Sequence, residues 1–232
     1  MSYLVLVRHG ESAWNRSNKF TGWVDVPLSE NGIKEALRAA KKLRGLDLEF
    51  AFTSKLERAQ ETLMILLASQ KKVGIFLHKG KRRHDWSNHP DQFSKNEIPI
   101  YSDDAINERY YGALQGKDKD DMRQKYGEEQ VFEWRRSYDI RPPHGECLKD
   151  VYKRSVPYFK KEILPKLAKG DVVVSAHGNS LRAIIKHLDN ISDSKIPFLE
   201  LPTGQLIIYK YSKGKLKRME HKHSFTRKTT WE

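Results

Sequence analysis

Short runs of consecutive apolar residues alternate along the chain with segments whose apolar residues recur every three or four positions. Runs of the first kind are typical of buried strands, and segments of the second kind are typical of amphipathic helices. Strands are predicted at Tyr3–Val7, Phe50–Thr53, Ile98–Tyr101 and Asp171–Ala176, with a terminal hairpin of Leu206–Tyr211 and Lys215–Met219.

The helical pattern is clearest after Ser29, a predicted N-cap that is followed by Ile33, Leu37, Ala40 and Leu43 at helical spacing. Further helices are predicted at Leu56–Ala68, Lys117–Tyr126 and Glu128–Ser137, from Leu148 with an irregularity at Pro157, and after His177–Ser180 to about Leu188. Strands that alternate with helices predict an α/β fold, a three-layer sandwich with a central, mostly parallel sheet flanked by helices.

The length of 232 residues is that of one domain, and we expect a single domain over residues 1–232. Residues from about 70 to 97 are basic and poorly periodic, which indicates an insertion, and residues from about 221 to 232 form a flexible tail. Lys and Arg number 43 against 30 Asp and Glu, a net charge of +13. This balance indicates an anionic partner, either nucleic acid or a phosphorylated or carboxylated small molecule.

Several classes of protein are excluded. One cysteine, Cys147, leaves no intramolecular disulfide and no four-cysteine zinc site. No apolar run approaches the roughly 20 residues of a membrane span, and the first apolar run meets a charge at Arg8, so no secretory signal is predicted. We therefore expect a cytoplasmic protein.

Two His-Gly pairs directly follow predicted strands, at His9 and at His177. Ligands of parallel sheets bind beyond the carboxyl ends of the strands, where both histidines are expected. A single histidine at a strand end is most simply interpreted as a hydrogen-bonded loop residue. Two histidines in equivalent places favour a shared functional role over coincidence. An imidazole can attack phosphorus, and Arg8 and Arg58 could hold the charge of a phosphoryl group beside it.

The segments that carry these residues resemble the cofactor-dependent phosphoglycerate mutases of the histidine phosphatase superfamily. The likeness follows family order through Leu6–Asn15, Phe20–Trp23, Asp25–Ser29, Ser54–Ala59, Asn107–Gly116, Trp134–Arg136 and Ala176–Arg182. It implies a phosphoglycerate mutase-like fold. The implied activity is interconversion of 2- and 3-phosphoglycerate, in glycolysis and gluconeogenesis, primed by 2,3-bisphosphoglycerate without a metal.

The resemblance also implies residue roles. His9 becomes the phosphorylated nucleophile, and Glu108 is the general acid and base for the substrate hydroxyl. Residues implied to hold the transferred phosphoryl group are Arg8, Arg58, His177, Asn15 and Asn179, with Gly178 beside them. Residues implied to bind the carboxylate or the second phosphate are Arg135, Arg136, Tyr111, Lys119, Thr21 and Gly22. The implied partners are small phosphoglycerates and neither nucleic acid nor membrane, and a dimer or tetramer is left open.

Two alternatives to the mutase activity remain at this point. The segment after Pro143 is shorter than in many mutases, so a histidine phosphatase, or a bisphosphoglycerate mutase or phosphatase acting on small phosphate esters, is the second hypothesis. A basic nucleic-acid-binding domain is the third, and charge alone favours it. A metal site formed by His78, His84, Asp85 and His89 is disfavoured because their spacing matches no metal motif.

Overall fold

A seven-stranded sheet organises the part of the chain that the computed structural model describes, residues 1–78 and 93–219. The strand order is β3-β4-β2-β5-β1-β6-β7. The strands are β1 (Ser2–Arg8), β2 (Leu48–Thr53), β3 (Val73–Leu77), β4 (Glu97–Ser102), β5 (Asp171–Ala176), β6 (Leu206–Ser212) and β7 (Lys215–Arg218). Neighbours among β1 to β5 pair in parallel, whereas β6 pairs antiparallel with β1, and β7 with β6. The mostly parallel sheet and the terminal hairpin are therefore confirmed.

Helices cover both faces of this sheet. They are α1 (Ala13–Arg16), α2 (Glu30–Lys42), α3 (Glu57–Ser69), α4 (Lys119–Tyr126), α5 (Glu128–Arg136), α6 (Leu148–Tyr158) and α7 (Gly178–Leu188). Alternate residues of β1 face opposite layers, as the two-residue period of a strand requires. Leu4 and Leu6 pack in one core with residues of α7, whereas Val5 and Val7 pack in the other with residues of α2 and α3. The predicted three-layer arrangement is confirmed.

The basic stretch predicted as an insertion contributes a strand. Its residues Val73–Leu77 form β3, which pairs in parallel with β4. Gly74 lies so close to β4 that an added Cβ atom would stand 2.4 Å from Cδ1 of Ile100. Residues 79–92 of the stretch, with His84, Asp85 and His89, lie outside the described residues, as does the predicted tail.

Helix α2 starts at the predicted N-cap, where the hydroxyl of Ser29 accepts a hydrogen bond from the backbone of Gly32. Two of the large apolar residues that were predicted to face the core do not do so, because Ile33 and Leu37 are both 44% exposed. Small residues, Ala36, Ala39 and Ala40, face the core instead. Their size allows the helix to approach the sheet closely.

An irregularity occurs at the predicted place in the long helix after Leu148. Pro157 lies inside α6, which ends at Tyr158 and continues as a π turn at Phe159–Ile163. Proline removes a helical hydrogen bond and crowds the preceding turn, so a change of helical type beside it is expected. The predicted loop before Ser29 contains one feature that the pattern did not predict, the short helix α1.

Candidate active site

The two histidines lie side by side because β1 and β5 are neighbours in register. Arg8 pairs with Ala176, so the residues that follow, His9 and His177, leave the sheet together. The backbone N–H of His9 donates to the carbonyl of Ala176 at 3.0 Å. The two imidazole centroids are 4.9 Å apart. The expected meeting of the two histidines at the carboxyl ends of the strands is present in the structure.

His9 is held in one tautomer. Its Nδ1 atom lies 2.6 Å from the carbonyl oxygen of Gly10, which can only accept, so Nδ1 carries the proton and Nε2 keeps its lone pair. The side chain is buried, and burial, Arg58 and Arg8 lower the pKa of His9 well below 6.5. The ring is therefore neutral and nucleophilic at physiological pH.

Gly10 packs tightly against the backbone near the start of α2. An added Cβ atom would stand 2.3 Å from the carbonyl oxygen of Gly32 near the start of α2. Glycine is needed here because two backbone segments touch. This contact fixes the peptide whose carbonyl orients His9.

The ring of His177 is held by Ser54, which belongs to the matching segment Ser54–Ala59 but had no role predicted from the sequence. Nε2 of His177 is 2.7 Å from the Ser54 hydroxyl oxygen, which also accepts from the backbone of Leu56. Burial lowers the pKa of His177 well below 6.5, and Arg58, His9 and Arg8 lower it further. Its Nδ1 atom is buried and has no hydrogen-bond partner among the described residues.

Arg58 connects the histidines to the loop before α2. Its guanidinium donates to the carbonyl oxygens of Gly22 at 2.8 Å and Val24 at 3.0 Å. Gly22 has a φ of +58°, a left-handed conformation that favours glycine. The neighbouring hydroxyl of Thr21 is buried and has no hydrogen-bond partner among the described residues. The loop therefore presents a polar group to the site while Arg58 holds its backbone.

Glu108 is buried, and its carboxylate contacts the N-terminal end of α7. Its Oε1 atom accepts from the backbone N–H of Arg109 and from both the backbone N–H and the side-chain amide of Asn179. The amide of Asn179 also donates to the Tyr111 hydroxyl at 3.3 Å. Oε1 takes all three hydrogen bonds that described residues donate to this carboxylate. Oε2 thus accepts no hydrogen bond from the described residues.

Two buried arginines support Asn179 from behind. Arg109 and Arg182 each donate to its Oδ1 atom at 3.0 Å. Neither has a carboxylate partner in the part of the chain that the structure describes. Burial, together with the nearby guanidinium of Arg109, lowers the pKa of Arg182 to about 9. Both arginines stand within the motifs that carry the resemblance, but the sequence analysis gave them no role.

Arg154 fixes the segment that ends in Glu108. It donates to the backbone carbonyls of Asp104, Ala105, Asn107 and Glu108, over distances from 2.8 to 3.2 Å. It also forms two hydrogen bonds of 2.9 Å with Glu146. The sequence analysis did not predict this role, because all of its partners except Glu146 are backbone atoms nearly fifty residues away.

One cavity brings together every predicted site residue except His177, which is buried beside His9. Predicted residues that line it are Arg8, His9, Asn15, Thr21, Gly22, Arg58, Glu108, Tyr111, Lys119, Arg135, Arg136, Gly178 and Asn179. The sequence analysis missed five more lining residues, Lys19, Phe20, Arg182, Glu200 and Leu201. Seven cations and two carboxylates thus line the cavity, which makes it an anion site.

Three of the cations come from α4 and the end of α5. Burial, together with the nearby cations Arg135 and Arg8, lowers the pKa of Lys119 to about 8. Arg135 and Arg136 occupy the last turn of α5. Burial and Arg135 also lower the pKa of Arg136, whose guanidinium contacts the carboxylate of Glu200. These shifts show that the cations are crowded, and a bound anion would relieve their repulsion.

Neither a metal cluster nor a membrane helix occurs in the described ranges. Residues 1–78 and 93–219 contain no group of three or more His, Cys, Asp or Glu side chains arranged to hold a metal ion. Within the same ranges, no helix combines the length and apolar character that crossing a bilayer requires.

The fold and the histidine site agree with the comparisons of sequence. Residues 4–86 and 91–222 match the family model described as Histidine phosphatase superfamily (branch 1), and the chain belongs to this superfamily. Within it, the chain is 53% identical to a 2,3-bisphosphoglycerate-dependent phosphoglycerate mutase of Methanosarcina acetivorans, over 94% of this chain and 95% of the relative. A protein of the same name from Gloeothece citriformis is 51% identical, over 90% and 94%. The resemblance to phosphoglycerate mutases is therefore confirmed.

Solved structures support the fold alone, because their sequence identities are below 25%. Bacillus stearothermophilus YhfR aligns with a TM-score of 0.73 at 24% identity, covering 94% of this chain and 95% of that one. A mycobacterial glucosyl-3-phosphoglycerate phosphatase aligns with a TM-score of 0.71 at 22% identity, covering 94% and 97%.

Proposed function

We propose that the protein is an enzyme that interconverts 3-phosphoglycerate and 2-phosphoglycerate through a phosphohistidine at His9. The observation that carries the proposal is the meeting, in one cavity, of a neutral, oriented imidazole with more cations than one phosphate needs. The relatives named above support the same activity.

A ligand with a carboxylate and two phosphates fits this cavity. Arg8, Arg58 and His177 surround His9 and suit the transferred phosphoryl group, because fixed donors stabilise the charge on its oxygens. Arg135, Arg136 and Lys119 suit the second anionic group, because guanidinium forks bind carboxylate and phosphate with two parallel hydrogen bonds. The unpartnered hydroxyl of Thr21, which lines the cavity, adds a further contact.

His9 and Glu108 then divide the chemistry between them. When bound, 2,3-bisphosphoglycerate supplies the phosphoryl group that primes the enzyme. Nε2 of His9 forms the N–P bond while the P–O bond breaks, and Glu108 donates a proton to the departing oxygen. In the reverse step Glu108 takes the proton of a substrate hydroxyl, whose oxygen attacks the phosphoryl group as the N–P bond breaks. Metal ions have no step in this scheme.

Phosphorus NMR tests the proposal directly. The sample contains the protein, 3-phosphoglycerate, EDTA and a trace of 2,3-bisphosphoglycerate. We expect 2-phosphoglycerate to form without inorganic phosphate. Release of inorganic phosphate would instead mean that water accepts the phosphoryl group, and the enzyme would be a phosphatase.

Two variants make the test specific for His9. His9→Ala removes the nucleophile, and we expect turnover to fall by about 10³-fold or more. His144→Asn changes an exposed histidine outside the cavity, and asparagine tolerates the φ of +57° at that position. We expect this control to keep full activity. Turnover by the His9→Ala protein would refute the assignment of the nucleophile.

The proposal extends to organisation and location. We propose that residues 1–232 act as one domain and that the enzyme works in the cytoplasm on free phosphoglycerates. Limited proteolysis with and without 3-phosphoglycerate tests the first point, because one cooperative domain gains protection throughout, apart from the expected flexible tail. Fractionation of the source cells tests the second.

A further inference from the structure

Glu200 places a carboxylate in a cavity that is otherwise suited to anions. It lies between the short helical turn Ile196–Phe198 and β6, and it lines the cavity beside Leu201. Its carboxylate contacts the guanidinium of Arg136, one of the residues proposed to bind the substrate. The side chain of Glu200 is 69% exposed, whereas that of Arg136 is 20% exposed.

The two carboxylates of the cavity differ in how firmly they are held. Glu108 is buried and accepts three hydrogen bonds, so it stays in place. Glu200 is exposed and is held by Arg136. Its carboxylate can therefore turn into solvent at little cost when another anion takes the guanidinium.

Arg136 needs a counter-ion when no ligand is bound. Its guanidinium is partly desolvated and lies near other cations, Arg135 above all, which together lower its pKa. Glu200 relieves that repulsion in the free protein. A ligand must displace this contact, and the displaced carboxylate remains close enough to repel it.

We propose that Glu200 is a specificity-determining residue, an exchangeable counter-ion of Arg136 that weakens binding more strongly as the charge of the ligand increases. The inference rests on the proposed function for the identity of the ligands. Coulomb repulsion scales with charge, and a second phosphate adds nearly two negative charges. Glu200 therefore loosens 2,3-bisphosphoglycerate more than a monophosphoglycerate.

Looser binding affects the catalytic cycle. A bisphosphate that escapes leaves His9 without its phosphoryl group, and the enzyme must be primed again from solution. The native enzyme is thus expected to need more free bisphosphate than a variant without the carboxylate. A role in which Glu200 merely orients Arg136 predicts the opposite, because its removal would then weaken binding.

Calorimetry on paired variants separates these roles. The His9→Ala protein prevents phosphoryl transfer during titration, and it is compared with His9→Ala/Glu200→Gln. We expect the double variant to bind 2,3-bisphosphoglycerate about five- to tenfold more tightly and 3-phosphoglycerate about two- to threefold more tightly. The gain should shrink in high salt, because the displaced carboxylate is exposed. Unchanged or weaker binding by the double variant would overturn the proposal.

Asp193 provides a matched control. Its side chain is 64% exposed and pairs with a more buried cation, Lys186, but it does not line the cavity. The His9→Ala/Asp193→Asn protein should bind both ligands as the His9→Ala protein does. Tightening equal to that of Glu200→Gln would mean that net charge acts over long range, and it would refute a local role.

Inorganic pyrophosphate distinguishes failure of this inference from failure of the proposed function. If pyrophosphate binds more tightly to the Glu200→Gln pair while neither phosphoglycerate binds, the counter-ion role stands and the proposed substrates are wrong. If both phosphoglycerates bind without tightening, the substrates stand and the counter-ion role is wrong. Absence of binding by all three anions would overturn both.

Discussion

The imidazole rings of His9 and His177 lie with centroids 4.9 Å apart and planes tilted by 58°, both buried beside Arg58. Protonation of either ring would place a third positive charge in a space that already holds Arg8 and Arg58. The folded protein therefore keeps both rings neutral. The same proximity that prepares His9 for nucleophilic attack ties its protonation to that of His177.

We predict a loss of stability in mild acid from these two rings. Both pKa values are lowered by folding, so below the unfolded value of about 6.5 the unfolded chain takes up protons that the folded chain excludes. The stability contributed by the neutral rings is full above that pH and falls as the pH decreases. Urea denaturation between about pH 7 and 5.5 should show a slope of up to about 1.4 kcal/mol per pH unit for each histidine. His177→Asn should halve the part due to this pair, and a flat profile would contradict the burial of neutral rings.

Binding of 3-phosphoglycerate should weaken in mild alkali because of Lys119. Burial and neighbouring cations lower the pKa of this lysine to about 8, so its positive charge is lost as the pH rises through that value. The dissociation constant measured by calorimetry should rise up to about tenfold between about pH 7 and 9. Lys119→Arg should flatten the profile because a guanidinium stays charged. An unchanged profile in that variant would assign the pH dependence to another group.

Arg136→Ala should separate mutase activity from simple hydrolysis. Loss of a charged, bidentate contact to the second anionic group is expected to lower kcat/KM for 3-phosphoglycerate by about 10- to 100-fold. Hydrolysis of p-nitrophenyl phosphate, which lacks that group, should change much less. Arg141→Ala serves as a control, because Arg141 is an exposed arginine paired with Asp150 outside the cavity. Equal losses of both activities would remove Arg136 from substrate recognition.

Replacement of Arg154 should lower turnover more than substrate binding. Arg154→Lys cannot reach all four backbone carbonyls, so the segment that carries Glu108 loses its support while the cations of the cavity remain. We expect kcat to fall about tenfold and KM to stay within about twofold. Glu146→Gln keeps an acceptor for Arg154 and should cost less. Parallel changes of kcat and KM in Arg154→Lys would indicate a general disturbance of the fold.

Residues with strong local signals were predictable from the sequence. The valine run of β5 and the run before Arg8 identified the strands, and the parallel pairing placed His9 and His177 together. Most of the cavity followed from the resemblance, whose motifs carry five of the seven cations and Glu108. Such features depend on short segments whose pattern has one physical interpretation.

Other features depend on contacts between distant segments. Val73–Leu77 follows lysines and contains a glycine, so its place in the sheet depends on the fit of Gly74 against Ile100. Ile33 and Leu37 are apolar yet exposed, because the smaller Ala36 and Ala39 allow closer packing. Ser54 is defined by its bond to His177, which is 123 residues away. Glu200 is negatively charged and so is not expected in a site for anions, and the residue that it contacts, Arg136, is 64 positions away in the sequence.

The two buried arginines behind Asn179 make the ligand a partner in folding. Arg109 and Arg182 have no carboxylate partner among the described residues, and six more cations line the cavity with Arg182. Repulsion between these cations destabilises the native state when no anion is bound. Ligands that bind only the native state raise its population by mass action. A bound anion is therefore expected to raise the free energy of unfolding of this protein, so that the occupied site supports the fold that contains it.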